Sequence, residues 1–255
     1  MTRTHRPLTT LTLVLALSVF GLATSAVADT RKPDFEMPDM RQYSAGTERK
    51  IAFFNLMIPL IEQANDAIQN DREWLLNMQG QKRWTTESRN RLDRLCKTYG
   101  LECQGERQVD WETLLKRVDT VPIQLVLIQA VEESGWGTSR FAREGNNLFG
   151  MRCFSSSCSL EHAGNGAGFQ GFPSVYAGVE AYMRNLNTHN AYKELRQSRA
   201  DLRAAGGNVN ALALIPSLER YSTRGDAYLA TLQSLLSTNA PLIEELRVRE
   251  EDDPA

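Results

Sequence analysis

Two adjacent glutamates, Glu132 and Glu133, end a segment that is otherwise almost entirely apolar. The apolar residues run from 122 to 131, and this composition predicts a helix that passes through the protein core, with Pro122 at its first turn. Consecutive residues of a helix point about 100° apart. We therefore expect the two carboxyl groups to have different surroundings.

The helical phase separates the two glutamates. Glu133 is predicted to lie beside the apolar residues Val126 and Ala130, about 100° away from Glu132. The side that Glu132 shares is polar and contains Gln124 and Gln129. We predict that Glu132 reaches solvent easily and that Glu133 does not.

A carboxyl group held against apolar side chains is suited to acid catalysis. Burial disfavours the charged form and raises the pKa, so the group can carry a proton near neutral pH. A glycosidase needs this property in its general acid. The structural alternative is that Glu133 is a helix-end residue paired with Arg140 or Arg143.

Two motifs follow in order along the chain. Residues 133–142 read Glu-Ser-Gly-Trp-Gly-Thr-Ser-Arg-Phe-Ala, and residues 146–150 read Asn-Asn-Leu-Phe-Gly. Together they resemble the signature of the peptidoglycan glucosaminidases related to the flagellar muramidase and to autolysins. The resemblance extends through residues 111–119, 185–189 and 221–223. It implies an endo-β-N-acetylglucosaminidase with a mainly α, lysozyme-like fold, which acts on peptidoglycan glycan strands without a metal or other cofactor.

The resemblance also implies roles for individual residues. Glu133 corresponds to the general acid, and residues 147–150 lie next to the sugar-binding cleft. Tyr221 corresponds to a tyrosine that hydrogen-bonds an acetamido group or the reacting water. The candidates for substrate binding are Trp136, Asn147, Phe149 and Tyr228. For the three aromatic residues in this set, packing in the core is the alternative role.

This chain departs from the family pattern at two places. Related enzymes carry Tyr-x-Thr-Asp, whereas Arg224 stands here at the acidic position, so Asp226 substitutes for that acid or the motif is structural. Many relatives also carry a second carboxylate in the loop after Asn-Leu-Phe-Gly, and Glu161 is the acid in that interval. Glu161 is the candidate for the base that activates water, and a solvated loop acid is the alternative.

The second catalytic group decides the stereochemistry. If Glu161 lies roughly 6.5 to 9.5 Å from Glu133, inversion is predicted. Otherwise the N-acetyl group of the substrate acts as the nucleophile, with Tyr221 orienting it. Two other functions stay open: a lytic transglycosylase that uses the same glutamate, and a non-catalytic module that binds the cell wall. A wall amidase is disfavoured, because no zinc ligand set and no Cys and His nucleophile pair is visible in the sequence.

Four cysteines form two local pairs, Cys96 with Cys103 and Cys153 with Cys158. In an exported chain this spacing favours two short-loop disulfides, although four cysteines allow three pairings. A zinc site formed by Cys153, Cys158 and His162 is disfavoured, because a second histidine at the normal spacing is missing.

The first 28 residues are typical of a secretory signal. A basic start precedes a short apolar stretch at 11–22, and Ala26-Val-Ala28 fits a cleavage site after Ala28. We expect a periplasmic or otherwise exported protein that does not insert stably into a membrane, and an uncleaved anchor is the alternative. The net charge is −2, and the Lys and Arg residues do not form a basic stripe, which argues against nucleic acid as a partner.

The remaining periodicity predicts a mainly helical chain. We expect a flexible leader at 29–45, a helical N-terminal subdomain at 46–115, a catalytic domain at 116–245 and an acidic, frayed tail at 246–255. Pro59 is expected to split or kink the first helical region. The other local expectations are a helix capped by Thr85 or Thr86 that stops at Gly100, one capped by Asp110, a hairpin between Met151 and Phe172, and a last helix at 226–237.

Overall fold

Helices form most of the described chain. The computed structural model describes residues 37–103, 105–153 and 168–252. The helices are α1 (Thr47–Met78), α2 (Thr86–Thr98), α3 (Trp111–Arg117), α4 (Ile123–Ser134), α5 (Arg140–Gly145), α6 (Val175–Thr188), α7 (Lys193–Ala204), α8 (Ala211–Leu214) and α9 (Asp226–Asp252). Short 3-10 helices cover Met40–Gln42, Asn190–Tyr192 and Ile215–Tyr221. The mainly α class is confirmed, and the predicted signal at 1–28 lies outside the described residues.

A two-stranded hairpin is also confirmed. Strand β1 (Arg152–Cys153) pairs with β2 (Gly168–Phe169) in antiparallel register, with Arg152 opposite Phe169. The predicted loop between the strands, which contains Glu161, lies outside the described residues. No helix within the described ranges is long and apolar enough to cross a bilayer.

Pro59 is predicted to split or kink the first helical region, and the split does not occur. Helix α1 continues through Pro59. Proline inside a helix removes a backbone hydrogen bond and crowds the preceding turn, at a cost of about 3 kcal/mol. Its neighbours are almost completely buried: Met57, Ile58, Leu60 and Ile61. Full burial of one such side chain contributes roughly 1.5–3 kcal/mol, so packing on both sides of Pro59 outweighs the local cost.

Helix α9 is longer than the predicted helix at 226–237. It continues to Asp252 and takes in much of the predicted tail at 246–255. Ile243 is fully buried and Leu246 is 6% exposed, so this part of α9 packs against the core. The acidic composition of residues 246–255 favoured a frayed tail, whereas the buried apolar residues stabilise the helix there.

The local signals around α2 and α3 are confirmed. The Thr85 hydroxyl accepts a hydrogen bond from the amide of Ser88 at 3.2 Å, and the Asp110 carboxylate caps α3. The disulfide between Cys96 and Cys103 is present. The second predicted pair, Cys153 with Cys158, involves a residue outside the described ranges. These elements surround a small apolar cluster that contains Leu92, Leu95, Leu114 and Val118.

The main core surrounds α4, as its apolar composition predicts. Leu125, Val126, Leu127, Ile128 and Ala130 are all exposed by 1% or less. Helices α1, α8 and α9 contact α4, and α6 packs on α1. Helix α1 belongs to the same core as α4, and the described residues form one compact unit. The subdomain boundary near 115 stays a prediction.

The predicted leader at 29–45 is folded where the structure describes it. Met40 is 1% exposed, and the 3-10 helix that it begins is capped by Asp39. Met37 lies against Gly137, where an added Cβ would meet its Cε at 2.1 Å. The glycine therefore permits the N-terminal segment to pack directly on the loop after α4.

A buried ion cluster fixes the approach to α4. Asp119 is 1% exposed and lies 3.3 Å from Arg199 and 2.7 Å from Arg203. Asn187 donates to the Asp119 carbonyl at 2.9 Å and accepts from Arg199 at 2.8 Å. Asp119 and Asn187 come from two segments that carry the family resemblance, and their contacts assign those segments a structural role.

Candidate active site

The end of α4 explains the spacing of the Glu133 motif. Ser134 is buried, and its hydroxyl donates to the Ala130 carbonyl and accepts from the Gly137 amide at 2.8 Å. Gly135 then ends the helix in the left-handed conformation, with φ 58° and ψ 52°. This conformation is strongly disfavoured for residues with a Cβ. The sequence Ser-Gly-x-Gly therefore ends α4 at Ser134, so that Glu133 lies in the last turn of the helix.

The environment of Glu133 favours its neutral form. The side chain is half-buried, and burial is the main cause that raises its pKa above the ordinary value of 4.5. The neighbouring charge of Glu132 raises the pKa further, whereas a hydrogen bond from Tyr228 and the charge of Arg224 lower it. The balance keeps a proton on Glu133 to higher pH than on an ordinary glutamate.

The alternative ion pair for Glu133 does not form. Arg140 pairs with Glu144 at 2.7 Å, and Arg143 donates to the Thr138 carbonyl at 3.2 Å. Among the described residues, no arginine or lysine lies within ion-pair distance of Glu133. The carboxyl is therefore free of a direct cationic partner in the described part of the chain.

A chain of hydrogen bonds leads from the core to Glu133. The Tyr182 hydroxyl donates to Gln129 Oε1, and Gln129 Nε2 donates to the Tyr228 hydroxyl at 3.1 Å. Tyr228 in turn hydrogen-bonds the Glu133 carboxyl. Gln129 is fully buried, so the prediction that it lies on the solvent side with Glu132 is wrong. One turn of α4 separates Gln129 from Glu133, which places both on the same face.

The Asn-Leu-Phe-Gly motif holds a loop against Glu133. Asn147 is 1% exposed and donates to the carbonyls of Met151 and Gln170 at 2.9 and 2.8 Å. Gly150 has φ +61°, and a Cβ there would lie 3.4 Å from Glu133 Oε2. Asn147 therefore ties the base of the hairpin, and Gly150 allows the backbone to pass close to the carboxyl.

Stacked aromatic rings support the same loop. Phe149 is 2% exposed and stacks on Tyr182, with ring centroids 3.8 Å apart. The Tyr221 hydroxyl donates to the Phe149 carbonyl at 2.9 Å. Tyr221 and Tyr228 lie parallel, with centroids 5.5 Å apart, and Tyr228 is 1% exposed. The contacts and burial of Phe149 and Tyr228 are those of packed residues, and their predicted role in substrate binding stays a prediction.

Trp136 packs against α1. Its ring packs edge-on against Phe53 and Phe54, with centroids 5.8 and 5.4 Å apart. Lys50 Nζ lies 5.3 Å from the ring centroid. The contacts support the packing alternative for Trp136.

Arg224 stands where relatives carry an acid, and it pairs with Glu132 at 2.5 Å. Its Nη2 also donates to the Thr231 hydroxyl at 2.9 Å. Asp226 is exposed in the first turn of α9 and is not among the groups that shift the Glu133 pKa. The contacts of Arg224 therefore tie α9 to Glu132. They support the alternative in which the motif after Tyr221 has a structural role. Glu161 and His162 lie outside the described residues.

Several residues of the site were not identified from sequence. Gln129, Tyr182 and Tyr192 belong to the group around Glu133. Hydrogen bonds link Tyr182 through Gln129 to Tyr228, and the charge of Glu133 raises the pKa of Tyr192. The spacing of Gln129 four residues before Glu133 was the available signal. Tyr182 and Tyr192 come from distant segments, and only the packing of α6 and the 3-10 helix Asn190–Tyr192 brings them to the site.

A comparison with known protein families matches the segment that contains Glu133. The model of the glucosaminidase family, described as mannosyl-glycoprotein endo-beta-N-acetylglucosaminidase, matches residues 110–239. The chain belongs to this family, which confirms the resemblance inferred from the two motifs, and it is a glycoside hydrolase.

Individual relatives are similar to different degrees. Protein bax of Escherichia coli (strain K12) is 44% identical over 208 residues, which cover 81% of this chain and 76% of that protein. The catalytic domain of the autolysin Auto from Listeria monocytogenes is 18% identical, with a TM-score of 0.39 over 78% of this chain and 89% of that one.

Proposed function

We propose that this protein is an exported endo-β-N-acetylglucosaminidase that cleaves the β-1,4 bonds of peptidoglycan glycan strands, with Glu133 as the general acid. The observation that carries the proposal is the state of Glu133. Its carboxyl is half-buried, has a raised pKa and lacks a direct cationic partner among the described residues. It also lies close to the backbone of Gly150 in the second motif. Such a group is suited to protonating the glycosidic oxygen of the leaving sugar.

The neighbouring residues have positioning roles in this proposal. Tyr228 orients the Glu133 carboxyl through its hydrogen bond and is itself oriented by Gln129. Tyr221 holds the Phe149 carbonyl and thereby the backbone of Gly150 beside the acid. The buried positions of Asn147 and Phe149 support the same kind of role for them, in place of direct sugar contact.

Glu161 is the proposed base, and the products of the wild type and of Glu161→Gln test that role. If Glu161 activates water, Glu161→Gln loses hydrolysis and the wild type releases the inverted anomer first. If the N-acetyl group of the substrate is the nucleophile, Glu161→Gln keeps most of its activity and the anomer is retained. NMR of freshly cleaved strands distinguishes the two mechanisms.

Mass spectrometry of digested sacculi tests the proposed reaction itself. Hydrolysis at the proposed bond produces new reducing ends that carry N-acetylglucosamine. New anhydro-muramic ends would instead identify a lytic transglycosylase. If the wild type and Glu133→Gln bind sacculi equally and neither releases fragments, the protein is a wall-binding module and the proposal is refuted.

A further inference from the structure

A cavity of about 290 Å³ with a strongly basic lining lies between α3, α7 and the 3-10 helix Asn190–Tyr192. The sequence pattern did not identify it. Its lining includes Lys116, Arg117, Asn190, Lys193, Arg196 and Gln197, and none of the lining residues is acidic. We refer to it as the basic pocket.

The positive charge of the basic pocket is only partly neutralised. Lys116 pairs with the exposed Glu112 at 2.6 Å. In the described part of the chain, no carboxylate lies within ion-pair distance of Arg117, Lys193 or Arg196. Arg196 is only 5% exposed, and burial together with the charge of Arg117 lowers its pKa to about 10. A buried charge without a counter-ion is costly, so an anion from outside fits this site.

Backbone carbonyls hold the two guanidinium groups in place. Arg196 Nη1 donates to the carbonyls of Leu186 and His189, both at 2.9 Å. Arg117 Nη1 donates to the carbonyls of Tyr99 and Gly100 at 2.7 and 2.9 Å. Neutral acceptors fix the side chains without cancelling their charge. A preorganised cation loses little conformational entropy when it binds an anion.

One short helix connects the basic pocket with the tyrosines around Glu133. Asn190 lines the pocket, and Tyr192 lies two residues further on, which is about 4 Å along the axis of a 3-10 helix. The Tyr192 ring lies 6.0 Å from the Tyr221 ring, and the charge of Glu133 raises the Tyr192 pKa. The Asn190–Tyr192 helix therefore contributes both to the basic pocket and to the group of tyrosines around Glu133.

We propose that the basic pocket binds a carboxylate of the peptides that a peptidoglycan strand carries, while the strand lies at Glu133. This inference rests on the proposed function. A concave site with a few fixed cations suits a single carboxylate. A nucleic acid needs an extended basic surface, and the chain has a net charge of −2 with its cations scattered among acids.

Strands with their carboxylates converted to amides provide the test. Wild-type protein is expected to show a KM about tenfold higher on amidated strands than on native strands, with kcat unchanged, because one charge-assisted contact is lost. The variant Lys116→Gln/Lys193→Gln is expected to show the higher KM on both substrates. Lys82→Gln, which removes an exposed lysine elsewhere, is the matched control and should behave as wild type.

Equilibrium binding of the same two strand preparations separates this inference from the proposed function, because it needs no cleavage. A wild-type Kd that is about tenfold weaker for amidated strands supports the basic pocket even if no bond is cut. Equal Kd values for native and amidated strands overturn it, as does a double variant that still discriminates between them. Absence of cleavage by a wild type that keeps this discrimination refutes only the proposed function.

Discussion

Removing a single hydroxyl group in Tyr228→Phe is expected to move the pH dependence of catalysis upward. The Tyr228 hydroxyl hydrogen-bonds the charged form of Glu133 and lowers its pKa. A hydrogen bond to a charged group contributes about 1.5–3 kcal/mol, and one pKa unit corresponds to about 1.4 kcal/mol. Because Glu133 is half-exposed and water can replace part of the interaction, we expect the Glu133 pKa to rise by less than the full strength of this hydrogen bond would give.

The direction of the change follows from the role of Glu133. A general acid acts only while it is protonated, so activity falls as the pH rises through its pKa. A higher pKa in Tyr228→Phe therefore extends activity to higher pH. The assay is the release of reducing ends from soluble glycan strands, with kcat/KM measured across the pH range. A descending limb that stays in place or moves to lower pH would refute the reasoning.

Tyr221→Phe is the matched control for this measurement. Its hydroxyl donates to the Phe149 carbonyl and not to Glu133, and its ring is stacked parallel to that of Tyr228. Both variants lose a buried hydroxyl and should lower the free energy of unfolding by about 1–3 kcal/mol. Only Tyr228→Phe should shift the descending limb, and urea unfolding measures the stability of each variant.

Three further predictions concern stability and geometry. Gly150→Ala should lose about 1–2 kcal/mol of unfolding free energy through its positive φ, and it should also lose activity beside Glu133. Gly206→Ala, at φ +67° with open space around it, should show the first loss without the second in urea unfolding and activity assays. Glu133→Gln should be more stable than wild type at pH 7. The folded state raises the pKa of the Glu133 carboxyl, so the stability of the wild type falls as the pH rises above 4.5. Calorimetry should find that the difference in stability vanishes below that pH. Asp119→Asn should cost about 3–5 kcal/mol in urea unfolding by leaving buried arginines unpaired, whereas Glu245→Gln, in an exposed pair, should cost less than about 0.5 kcal/mol.

Signals that depend on neighbouring residues were predictable from the sequence. The Thr85 and Asp110 caps, the Cys96–Cys103 disulfide and the core position of α4 each follow from spacing over a few residues. The helical phase also predicts different roles for Glu133 and Glu132, and that distinction stays a prediction. The caps and the disulfide depend mainly on residues close in sequence, so distant parts of the chain do not change them.

Features that depend on distant packing were not predictable. Pro59 stays inside α1 because the core holds both halves of that helix. Gln129 is turned inward by Tyr182 and Tyr228, although its polarity suggested the solvent side. The role of Arg224 was visible only once its contact with Glu132 was known. In each case a partner far away in the sequence decides the outcome.

Comparison of Glu133→Gln with Glu132→Gln tests the central claim most directly. The two variants make the same chemical change on adjacent residues, and the products released from sacculi measure it. General acid catalysis contributes about 10²- to 10⁴-fold, so Glu133→Gln should lose at least about a hundredfold of kcat, while Glu132→Gln keeps most of it. Comparable losses in both variants, or an active Glu133→Gln, would contradict the assignment of Glu133 as the acid.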